Sequence, residues 1–500
     1  MTRIRPGDRE FARTISQIID TNPFLPERPR LERQALGQAF VKDEADWNLH
    51  PSAYHASENT IRLQEKAETV LERIRVAVES AGQVDEATAA LFTDLSHFVL
   101  FGRYRDDMRC NLDGKSRNVA QAYQRFREDF AALFGLDGLP PQEANEPAHI
   151  FAVLYQIYRA FHHLFDNMIG CSDCVIRLRA NVWESIFTHD LRRYRKTLYA
   201  RMLDFSTLVT GPSGTGKELV ARAIGLSTYI PFDEQRLEFN CRPAEMFISL
   251  SLSSFSTPLI ESELFGHKKG SFTGADRDRI GWLESCPTGG VVFLDEIGEL
   301  DEVLQVKLLR VLHEREFQAV GDVQVRRFRG RILAATNRDL ARAIDQTKMR
   351  ADFIYRIRSD SLQMPSLAQR SQDDPRELAY LVHHLLQRIT GEVDPSLGEA
   401  ILRWIHGHLG KNYSWPGNVR ELEQCIRGYL IRGDYCPLDA AVADDRQFDN
   451  MLQACELTAD QLISAYCNAV YSQTQSYVAT AKRLGIDRRT VRARIQPPCG

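Results

Sequence analysis

One stretch of the chain places glycines, a lysine and a glutamate where they can bind phosphate. It follows an apolar, β-branched segment at residues 205–210 and has the sequence GPSGTGKE. Glycines let backbone N–H groups converge on phosphate oxygens, and the lysine can reach the outer phosphates of a nucleotide. A helix after the loop strengthens this interpretation, because a helix N-terminus attracts anions. The loop comprises Gly211, Pro212, Ser213, Gly214, Thr215, Gly216, Lys217 and Glu218.

The residue after the lysine departs from the general phosphate-loop pattern. That pattern has a serine or threonine, whose hydroxyl holds magnesium. Here the position is Glu218. Taken alone, the loop therefore supports nucleotide binding and an unrelated glycine turn about equally.

A pair of carboxylates ends an apolar run downstream. Asp295 and Glu296 follow residues 291–294, which are all apolar. Such a run is typical of a central parallel strand that is covered on both faces. Asp295 can hold magnesium, directly or through water, and Glu296 can polarise an attacking water molecule. The alternative, a strand that ends in surface acids, is less favoured because the phosphate loop lies upstream.

Two further positions suit contacts with nucleotide phosphates. The buried-type strand at 331–335 ends in Thr336 and Asn337, whose polar groups would face the γ-phosphate. Alternating strands and helices predict a parallel sheet that binds ligands at the carboxyl ends of its strands. Arg420 lies in the first turn of a helix that follows a Trp-Pro-Gly turn, where its guanidinium can reach the phosphates.

Two arginines, Arg350 and Arg356, flank the sequence DFIY. Residues six apart on a helix do not share a face, so a simple intramolecular pair is not expected for them. They suit a subunit edge, from which guanidinium groups reach a neighbour's γ-phosphate. Ordinary surface salt bridges are the alternative.

The segment GSFTGA, residues 270–275, places the ring of Phe272 between two glycines. Taken alone, it is best explained as a surface turn whose Phe folds back into the core. Its position between the phosphate loop and the acidic pair favours a functional loop instead.

The composition of the chain indicates the class of protein in which these sites lie. A chain of 500 residues predicts about three domains, and its 43% hydrophobic and 26% charged residues are typical of a globular protein. The net charge of −4 predicts that any nucleic-acid surface is local. Ten scattered cysteines, no apolar signal segment and no apolar run of about 20 residues predict a cytoplasmic protein with reduced thiols and no membrane contact.

The N-terminal third is predicted to be mainly helical. Residues 1–30 carry Pro23, Pro26 and Pro29, which predicts an extended or loosely attached segment. Apolar periodicity then predicts core-facing helices at 58–80, 86–101, 117–134 and 149–167.

Two clusters after these helices have a structural and a functional interpretation. Cys171 and Cys174 follow His162 and His163. Zinc or redox chemistry is less favoured than a helix start, because the adjacent histidines point in divergent directions. A basic run is expected to form a solvated face; it comprises Arg192, Arg193, Arg195 and Lys196.

The C-terminal segment predicts a helix-turn-helix. Helical patterns cover 459–471, 476–484 and 487–495, with a turn at Gly485 and a capping residue at Asp487. Arginines on the last helix can bind guanine edges and phosphates. The candidate DNA-binding residues are Arg488, Arg489, Thr490, Arg492 and Arg494.

Six motifs together resemble the central AAA+ domain of the bacterial sigma-54-dependent activators, also called enhancer-binding proteins. They are GPSGTGKE, ESELFGHKKGSFTGA, GGVVFLDEIGEL, LQVKLLRVLHEREFQAVG, AATNRDL and WPGNVREL. The resemblance covers about residues 168–435, and the tail is similar to the Fis-type DNA-binding module of many of these activators. A glutamate normally follows the P-loop lysine in this family, so Glu218 agrees with the resemblance.

The resemblance implies a multidomain protein. It predicts a helical regulatory region at 1–165, an α/β AAA+ P-loop ATPase at 168–360 with a helical lid at 361–435, a linker at 436–457 and an all-α helix-turn-helix at 458–500. Walker A would be the phosphate loop and Walker B the acidic pair, with magnesium held at Asp295. Thr336 and Asn337 would be sensor I, Arg420 sensor II, and Arg350 and Arg356 the trans-acting arginine fingers. Ile169 and Gly170 would lie near the adenine of ATP.

The resemblance also implies partners. Phe272, Thr273 and Gly274 would contact sigma-54 in the RNA polymerase holoenzyme, next to a second loop at 318–328. The protein would bind double-stranded DNA upstream of a promoter, assemble from dimers to a hexameric ring, and use ATP hydrolysis to open the promoter complex. The rival hypothesis is a DNA-binding repressor whose ATPase is an assembly switch without sigma-54 engagement.

Four departures from the family pattern are visible, and one of them is that Ser366, Ala368 and Gln369 weaken the usual Pro-Pro-Leu-Arg-Glu-Arg run. Ser271 replaces the usual alanine of the loop at 270–275, which the resemblance implies is the family's signature loop. Ser251 replaces an asparagine that normally restrains the Walker B glutamate, which predicts altered coupling between hydrolysis and loop movement. An insertion rich in charged and aromatic residues occupies about 227–243.

Overall fold

The first third of the chain is helical from near its start. The computed structural model describes residues 4–42, 57–81, 84–112, 117–136, 139, 146–338, 340, 349–437, 459–474 and 476–494. The described residues group into two units, Met1–Arg427 and Gly428–Gly500. The N-terminal helices are α1 (Pro6–Asp20), α2 (Glu27–Leu36), α3 (Glu58–Glu79), α4 (Glu86–Arg103), α5 (Arg105–Cys110), α6 (Arg117–Phe134) and α7 (Pro147–Asn167).

The prediction for residues 1–30 is wrong. Two helices form there, because Phe11, Ile15 and Ile18 share one buried face of α1. The prolines do not oppose the helices, since they lie in the turn between α1 and α2 or in a first turn, where no backbone N–H is needed. Phe24, in that turn, is fully buried against Phe161, Phe165 and Trp183.

The four helices predicted from apolar periodicity are confirmed as α3, α4, α6 and α7. Their apolar stripes are buried, as expected for a helical core.

The apolar runs beside the two candidate phosphate-site motifs form strands of one parallel sheet, separated by a single strand. Its strands are β1 (Thr207–Thr210), β4 (Phe247–Ser251), β7 (Val291–Asp295), β10 (Arg331–Thr336) and β11 (Asp360–Gln363), in the order β11-β1-β10-β7-β4. All described pairings in this sheet are parallel. The phosphate loop after β1 and the carboxylates after β7 therefore lie at the same edge, on either side of the tip of β10.

Alternate residues of the sheet face two different cores. Val209, Val291, Phe293 and Leu333 belong to one core, which continues into the N-terminal helices. Leu208, Val292 and Leu294 belong to a second core on the opposite face. The N-terminal region and the sheet thus share one continuous hydrophobic core.

The helices on the sheet complete the α/β arrangement predicted from the sequence. They are α8 (Asp173–Phe187), α9 (Leu191–Lys196), α10 (Lys217–Leu226), α11 (Thr257–Phe265), α12 (Trp282–Ser285), α13 (Glu302–Glu314) and α14 (Ala351–Ile357). The helical lid follows as α15 (Leu367–Asp373), α16 (Glu377–Thr390), α17 (Pro395–His408) and α18 (Asn418–Arg432). This is the AAA+ layout of a parallel-sheet domain with a helical lid.

The insertion at 227–243 contains a two-stranded hairpin, β2 (Phe232–Asp233) and β3 (Glu238–Phe239). The ring of Phe232 lies 4.4 Å from that of Tyr123 and 5.1 Å from that of Phe151. Phe239 packs 5.1 Å from Tyr155. The Tyr123 hydroxyl also donates to Glu234. The insertion therefore forms a docking surface for the N-terminal helices α6 and α7.

The basic run in α9 only partly fits the expected solvated face. Arg193 and Lys196 are exposed, as expected. Arg192 instead donates to Asp94 of α4 at 2.6 Å, and Arg195 donates to His97. Two of the four basic residues thus bind the N-terminal helices, which the local sequence does not indicate.

The C-terminal unit contains the predicted helix-turn-helix. Its helices are α19 (Ala459–Thr474), α20 (Tyr477–Leu484) and α21 (Arg488–Arg494). Gly485 ends α20 with a positive φ of 69°, and the Asp487 carboxylate accepts from the Arg489 N–H at 2.7 Å, at the start of α21. Positions 438–457 of the predicted linker lie outside the described residues, as do 458, 475 and 495–500 of the predicted DNA-binding domain.

Within the part of the chain that is described, no helix has the length and apolarity required to cross a bilayer.

Candidate active site

A cavity of about 520 Å³ lies at the carboxyl ends of the sheet strands. The phosphate loop, the acidic pair and side chains of the lid line it. Of the predicted site residues, it brings together Ser213, Gly214, Thr215, Gly216, Lys217, Glu218, Asp295, Glu296, Ile169 and Arg420. Gly211, Pro212 and Gly170 adjoin it in sequence, and Thr336 contacts the loop through its backbone.

The phosphate loop has the backbone geometry that its glycines predict. Gly211, Gly214 and Gly216 have positive φ values of 147°, 77° and 94°. The Lys217 ammonium donates to the carbonyl oxygens of Gly211 and Pro212, at 3.0 and 3.1 Å. These contacts hold the cation over the loop, at the first turn of α10.

The electrostatic environment of Lys217 links the loop to the acidic pair. Burial lowers the pKa of Lys217, and the carboxylates of Glu296 and Asp295 act in the opposite direction. The ammonium thus lies in the field of both acids, which favour its charged form.

The acidic pair ends β7 in a sharp turn. Glu296 has left-handed backbone angles, with φ 59° and ψ 51°. Its N–H donates to the Asp295 carboxylate at 3.0 Å. The turn places two carboxylates of adjacent residues in one cavity, each half-buried. Backbone strain at a non-glycine residue is common at functional sites.

Ser251 lies beside the acidic pair, because β4 pairs with β7 in the register Ser251–Asp295. Its hydroxyl lies 3.2 Å from that of Ser253. The side chain that replaces the family's asparagine thus has a local serine partner.

Strand pairing brings Thr336 to the phosphate loop. Thr336 is fully buried, and its carbonyl oxygen accepts from the Gly211 N–H at 3.3 Å. Its hydroxyl accepts from the N–H of Arg338 at 3.1 Å. Asn337, the next residue, is exposed. The tip of β10 is therefore hydrogen-bonded to the start of the phosphate loop.

Asn418 joins the lid to the phosphate loop, a role that was not predicted from the sequence. Its amide donates to the Ser213 carbonyl oxygen at 2.9 Å and accepts from the Leu367 N–H at 2.9 Å. The Arg420 guanidinium lies 3.4 Å from the Ser213 hydroxyl. The sequence contained a signal for Asn418, because Asn tolerates the positive φ of 53° found here after Pro-Gly better than most non-glycine residues.

The signature loop, residues 270–275, is a tight turn with an exposed ring at its tip. Gly270 and Gly274 have φ values of 80° and 98°, and the Gly270 N–H donates to the Ala275 carbonyl oxygen at 2.8 Å. Phe272 is 39% exposed, with its ring edge-on to His267 at 4.9 Å. The alternative of a Phe folded into the core is wrong.

The second loop, residues 318–328, shares a base with the signature loop. The Lys268 N–H donates to the Val320 carbonyl oxygen at 3.0 Å. A side chain at Gly321 would meet the Cβ of Ser271 at 2.6 Å, so the two loops are in direct contact. Val323, at the tip of the second loop, is 91% exposed.

Comparison with known families identifies the central domain. Residues 188–363 match the family model described as the sigma-54 interaction domain. This part of the chain is therefore similar to the sigma-54 interaction domain. The match begins between α8 and α9 and ends with β11, so the matched region includes the phosphate loop, the signature loop and the acidic pair.

Curated transcriptional regulators are similar to part of this chain. The transcriptional regulatory protein ZraR of Klebsiella oxytoca is 36% identical over 303 residues, which cover 58% of this chain and 63% of the relative. The Nif-specific regulatory protein of Herbaspirillum seropedicae is 39% identical over 271 residues, which cover 54% of this chain and 44% of the relative. The chain thus spans less than two thirds of the length of these relatives.

A solved structure also shows a likeness. A crystal structure of NtrX from Brucella abortus has a TM-score of 0.42 and 20% identity, and the match covers 75% of this chain and 84% of that chain. At that TM-score the likeness supports no conclusion about function.

Buried Glu377 connects the lid to the segment that precedes the sigma-54 interaction domain. Its carboxylate accepts from the N–H groups of Cys171 and Ser172, at 2.6 and 2.9 Å. It also accepts from the Arg370 guanidinium at 2.7 Å. Burial raises the pKa of the Cys171 thiol to about 12, so this thiol stays protonated. The structural interpretation of the CxxC agrees with these contacts.

Replacement of Glu377 by alanine is expected to destabilise the protein by about 3–5 kcal/mol, because it leaves the buried Arg370 cation without its carboxylate. The measurement is the free energy of unfolding in denaturant. Glu314→Ala is the matched control, since Glu314 pairs with Arg310 on an exposed helix face and such pairs contribute about 1 kcal/mol or less. Equal losses in the two variants would contradict this role for Glu377.

Arg350 and Arg356 do not line the cavity of their own chain. Arg350 binds Asp352 at 2.9 Å and Glu302 at 3.3 Å, and Arg356 donates to the Leu312 carbonyl oxygen at 3.3 Å. Tyr355, between them, is largely exposed. Their role as trans-acting fingers stays a prediction.

The candidate DNA-binding residues lie on the last helix of the C-terminal unit. Arg488, Arg489, Thr490 and Arg492 are exposed, and Arg494 is half-buried. Val491 is fully buried and orients the helix on its neighbours. The exposed face of α21 is thus basic.

Proposed function

We propose that this protein is an ATP-driven transcription activator that remodels the sigma-54 RNA polymerase holoenzyme. The observation that carries the proposal is the cavity in which Lys217 lies in the field of Asp295 and Glu296. A cation for phosphate and two carboxylates for metal and water are the groups that ATP hydrolysis needs.

The residues of the cavity fit ATP and Mg²⁺. Three loop glycines have the positive φ values that turn backbone N–H groups toward a phosphate chain, and Lys217 supplies a cation above them. Ile169 offers an apolar wall for the adenine. Mg²⁺, held through Asp295, would neutralise the charge of the β- and γ-phosphates.

Different residues of the chain have different roles in ATP hydrolysis. Glu296 orients a water molecule in line with the γ-phosphate and polarises it. Thr336 and Asn337, at the tip of β10, and Arg420, from the lid, contact the phosphates. Arg350 and Arg356 of a neighbouring protomer supply the charge that stabilises the transition state, so turnover requires a homo-oligomeric ring.

The two joined loops are the surface that we assign to sigma-54. Phe272 and Val323 place exposed apolar side chains at adjacent tips. An exposed apolar patch with a polar surround is typical of a protein contact. Since the signature loop lies in the domain that holds the acidic pair, hydrolysis can change its position.

DNA binding by the C-terminal unit would place the ring upstream of a promoter. The exposed arginines of α21 can enter the major groove, and a pair of such modules would span two half-sites.

Replacement of Phe272 by alanine is expected to abolish ATP-dependent open-complex formation with sigma-54 polymerase, because the loop loses its apolar contact. ATP turnover should stay within about twofold, since Phe272 does not line the cavity. Phe255→Ala is the matched control, because Phe255 is 37% exposed in the same domain but outside both loops.

The same experiment also distinguishes the proposed function from the rival hypothesis. An assembly switch without sigma-54 engagement would hydrolyse ATP but would show no activation and no sigma-54 binding in the wild-type protein. Equal activation by wild type and Phe272→Ala would overturn the assignment of the loop.

A further inference from the structure

A second cavity, of about 140 Å³, lies among the N-terminal helices, away from the phosphate loop. Helices α1, α4, α7, α8 and α9 contribute most of its wall. The apolar part of the wall comprises Ile18, Val153, Leu154, Ile157, Phe161 and Trp183. An apolar cavity of about 150 Å³ can hold a benzene molecule, so the space accommodates one aromatic ring or a short alkyl chain.

The polar part of the wall is cationic. Arg28, Arg105, Arg192 and Arg195 line the cavity, whereas none of the described lining residues is a carboxylate. Arg28 pairs with buried Glu32, and Arg192 pairs with Asp94. The half-buried side chain of Arg105 forms no hydrogen bond or ion pair with any residue in the described ranges. A positive wall around an apolar space favours an anionic ligand.

His97 lies in this wall and is hydrogen-bonded to one of its arginines. It is 6% exposed, and its Nδ1 accepts from the Arg195 guanidinium. A neutral ring that accepts at Nδ1 carries its proton on Nε2. Burial and Arg195 lower the pKa of His97, which agrees with a neutral ring. Nε2 is buried and has no partner in the described part of the chain.

Helix α7 connects the cavity to the phosphate-loop helix α10. Val153 and Leu154 of α7 line the cavity. From the same helix, Gln156 donates to the Ser227 carbonyl oxygen at 2.9 Å, and Arg159 donates to that of Thr228 at 2.8 Å. Ser227 caps the C-terminal end of α10. A change in α7 is thus passed to the helix that follows the phosphate loop.

We propose that this cavity is an effector site for a small organic carboxylate with one aromatic ring or a short alkyl chain. The apolar body fills the space between α1, α4 and α7, and the carboxylate accepts hydrogen bonds from the Arg105 guanidinium. The effect of the ligand on ATP turnover rests on the proposed function, whereas its binding does not.

The first test is calorimetric titration of the full-length protein with benzoate and with its neutral counterpart benzamide. Benzoate is expected to bind about tenfold more tightly than benzamide, the effect of one charge-assisted hydrogen bond. Arg105→Gln should remove this preference. Arg109→Gln should keep it, because Arg109 lies on the same helix but pairs with Asp106 and does not line the cavity. Equal affinities of the wild-type protein for the two probes would overturn the anionic ligand class.

The second test fills the cavity. Ile157→Trp should abolish binding of both probes, while far-ultraviolet circular dichroism and the melting temperature show that the protein is folded. No binding of either probe to the wild-type protein, or binding that Ile157→Trp leaves intact, would overturn the site. Benzoate should also change ATP turnover. Binding in a protein without any ATP turnover would overturn the proposed function and leave the site standing.

Discussion

Replacement of Glu296 by glutamine is expected to lower ATP turnover by about 100-fold or more and to leave ATP binding intact. Glutamine keeps the size of the side chain but cannot polarise water as a carboxylate does. The loop and Lys217 are unaffected, since Lys217 is held by the Gly211 and Pro212 carbonyl oxygens. The measurements are phosphate release and equilibrium binding of a fluorescent ATP analogue.

Glu299→Gln is the matched control for this experiment. Glu299 lies three residues further along, is exposed and pairs with Arg338. Its replacement should change turnover by about twofold or less, because surface pairs contribute little. Turnover by Glu296→Gln within about twofold of the wild type would show that another group activates the water.

Removal of residues 1–167 is expected to leave an insoluble or aggregated chain. Phe232 and Phe239 lose the rings of Tyr123, Phe151 and Tyr155. Each large apolar side chain left exposed costs about 1.5–3 kcal/mol, against a total stability of about 5–15 kcal/mol for a typical domain. The measurements are the soluble yield and light scattering of a chain that begins at Met168.

Co-expression of residues 1–167 as a separate chain is the control, because it restores the covering helices. It should raise the soluble yield of the truncated chain. A truncated chain that is monodisperse by itself and melts cooperatively at the wild-type temperature would contradict the shared core. If the prediction holds, the influence of the N-terminal region on ATP turnover must be measured with point variants.

Local sequence was sufficient to predict that the main residues of the candidate site lie together. Lys217, Asp295 and Glu296 follow strands whose apolar runs are visible in the sequence, and parallel pairing brings the strand ends to one edge. The helix-turn-helix was equally predictable, because its cap at Asp487 and its turn at Gly485 are local signals.

Contacts between distant segments were not predictable in the same way. The buried position of Glu377 depends on Arg370 and on two N–H groups about 200 residues earlier in the chain. The partners of Phe232 lie in helices more than 80 residues away. The helix α1 was missed for a different reason, since proline content was given more weight than the periodicity of Phe11, Ile15 and Ile18.

Because Ser271 and Gly321 are in contact, the amino-acid sequences of the two loops are expected to constrain each other during evolution. Any side chain at position 321 would displace Ser271, so the residues of one loop limit those allowed in the other. This steric restriction does not apply to Phe272 and Val323, because these exposed tip residues extend away from the shared base. We therefore expect substitutions at the base of one loop to be accompanied by substitutions at the base of the other. Substitutions at the two tips should instead depend on the partner that each tip contacts.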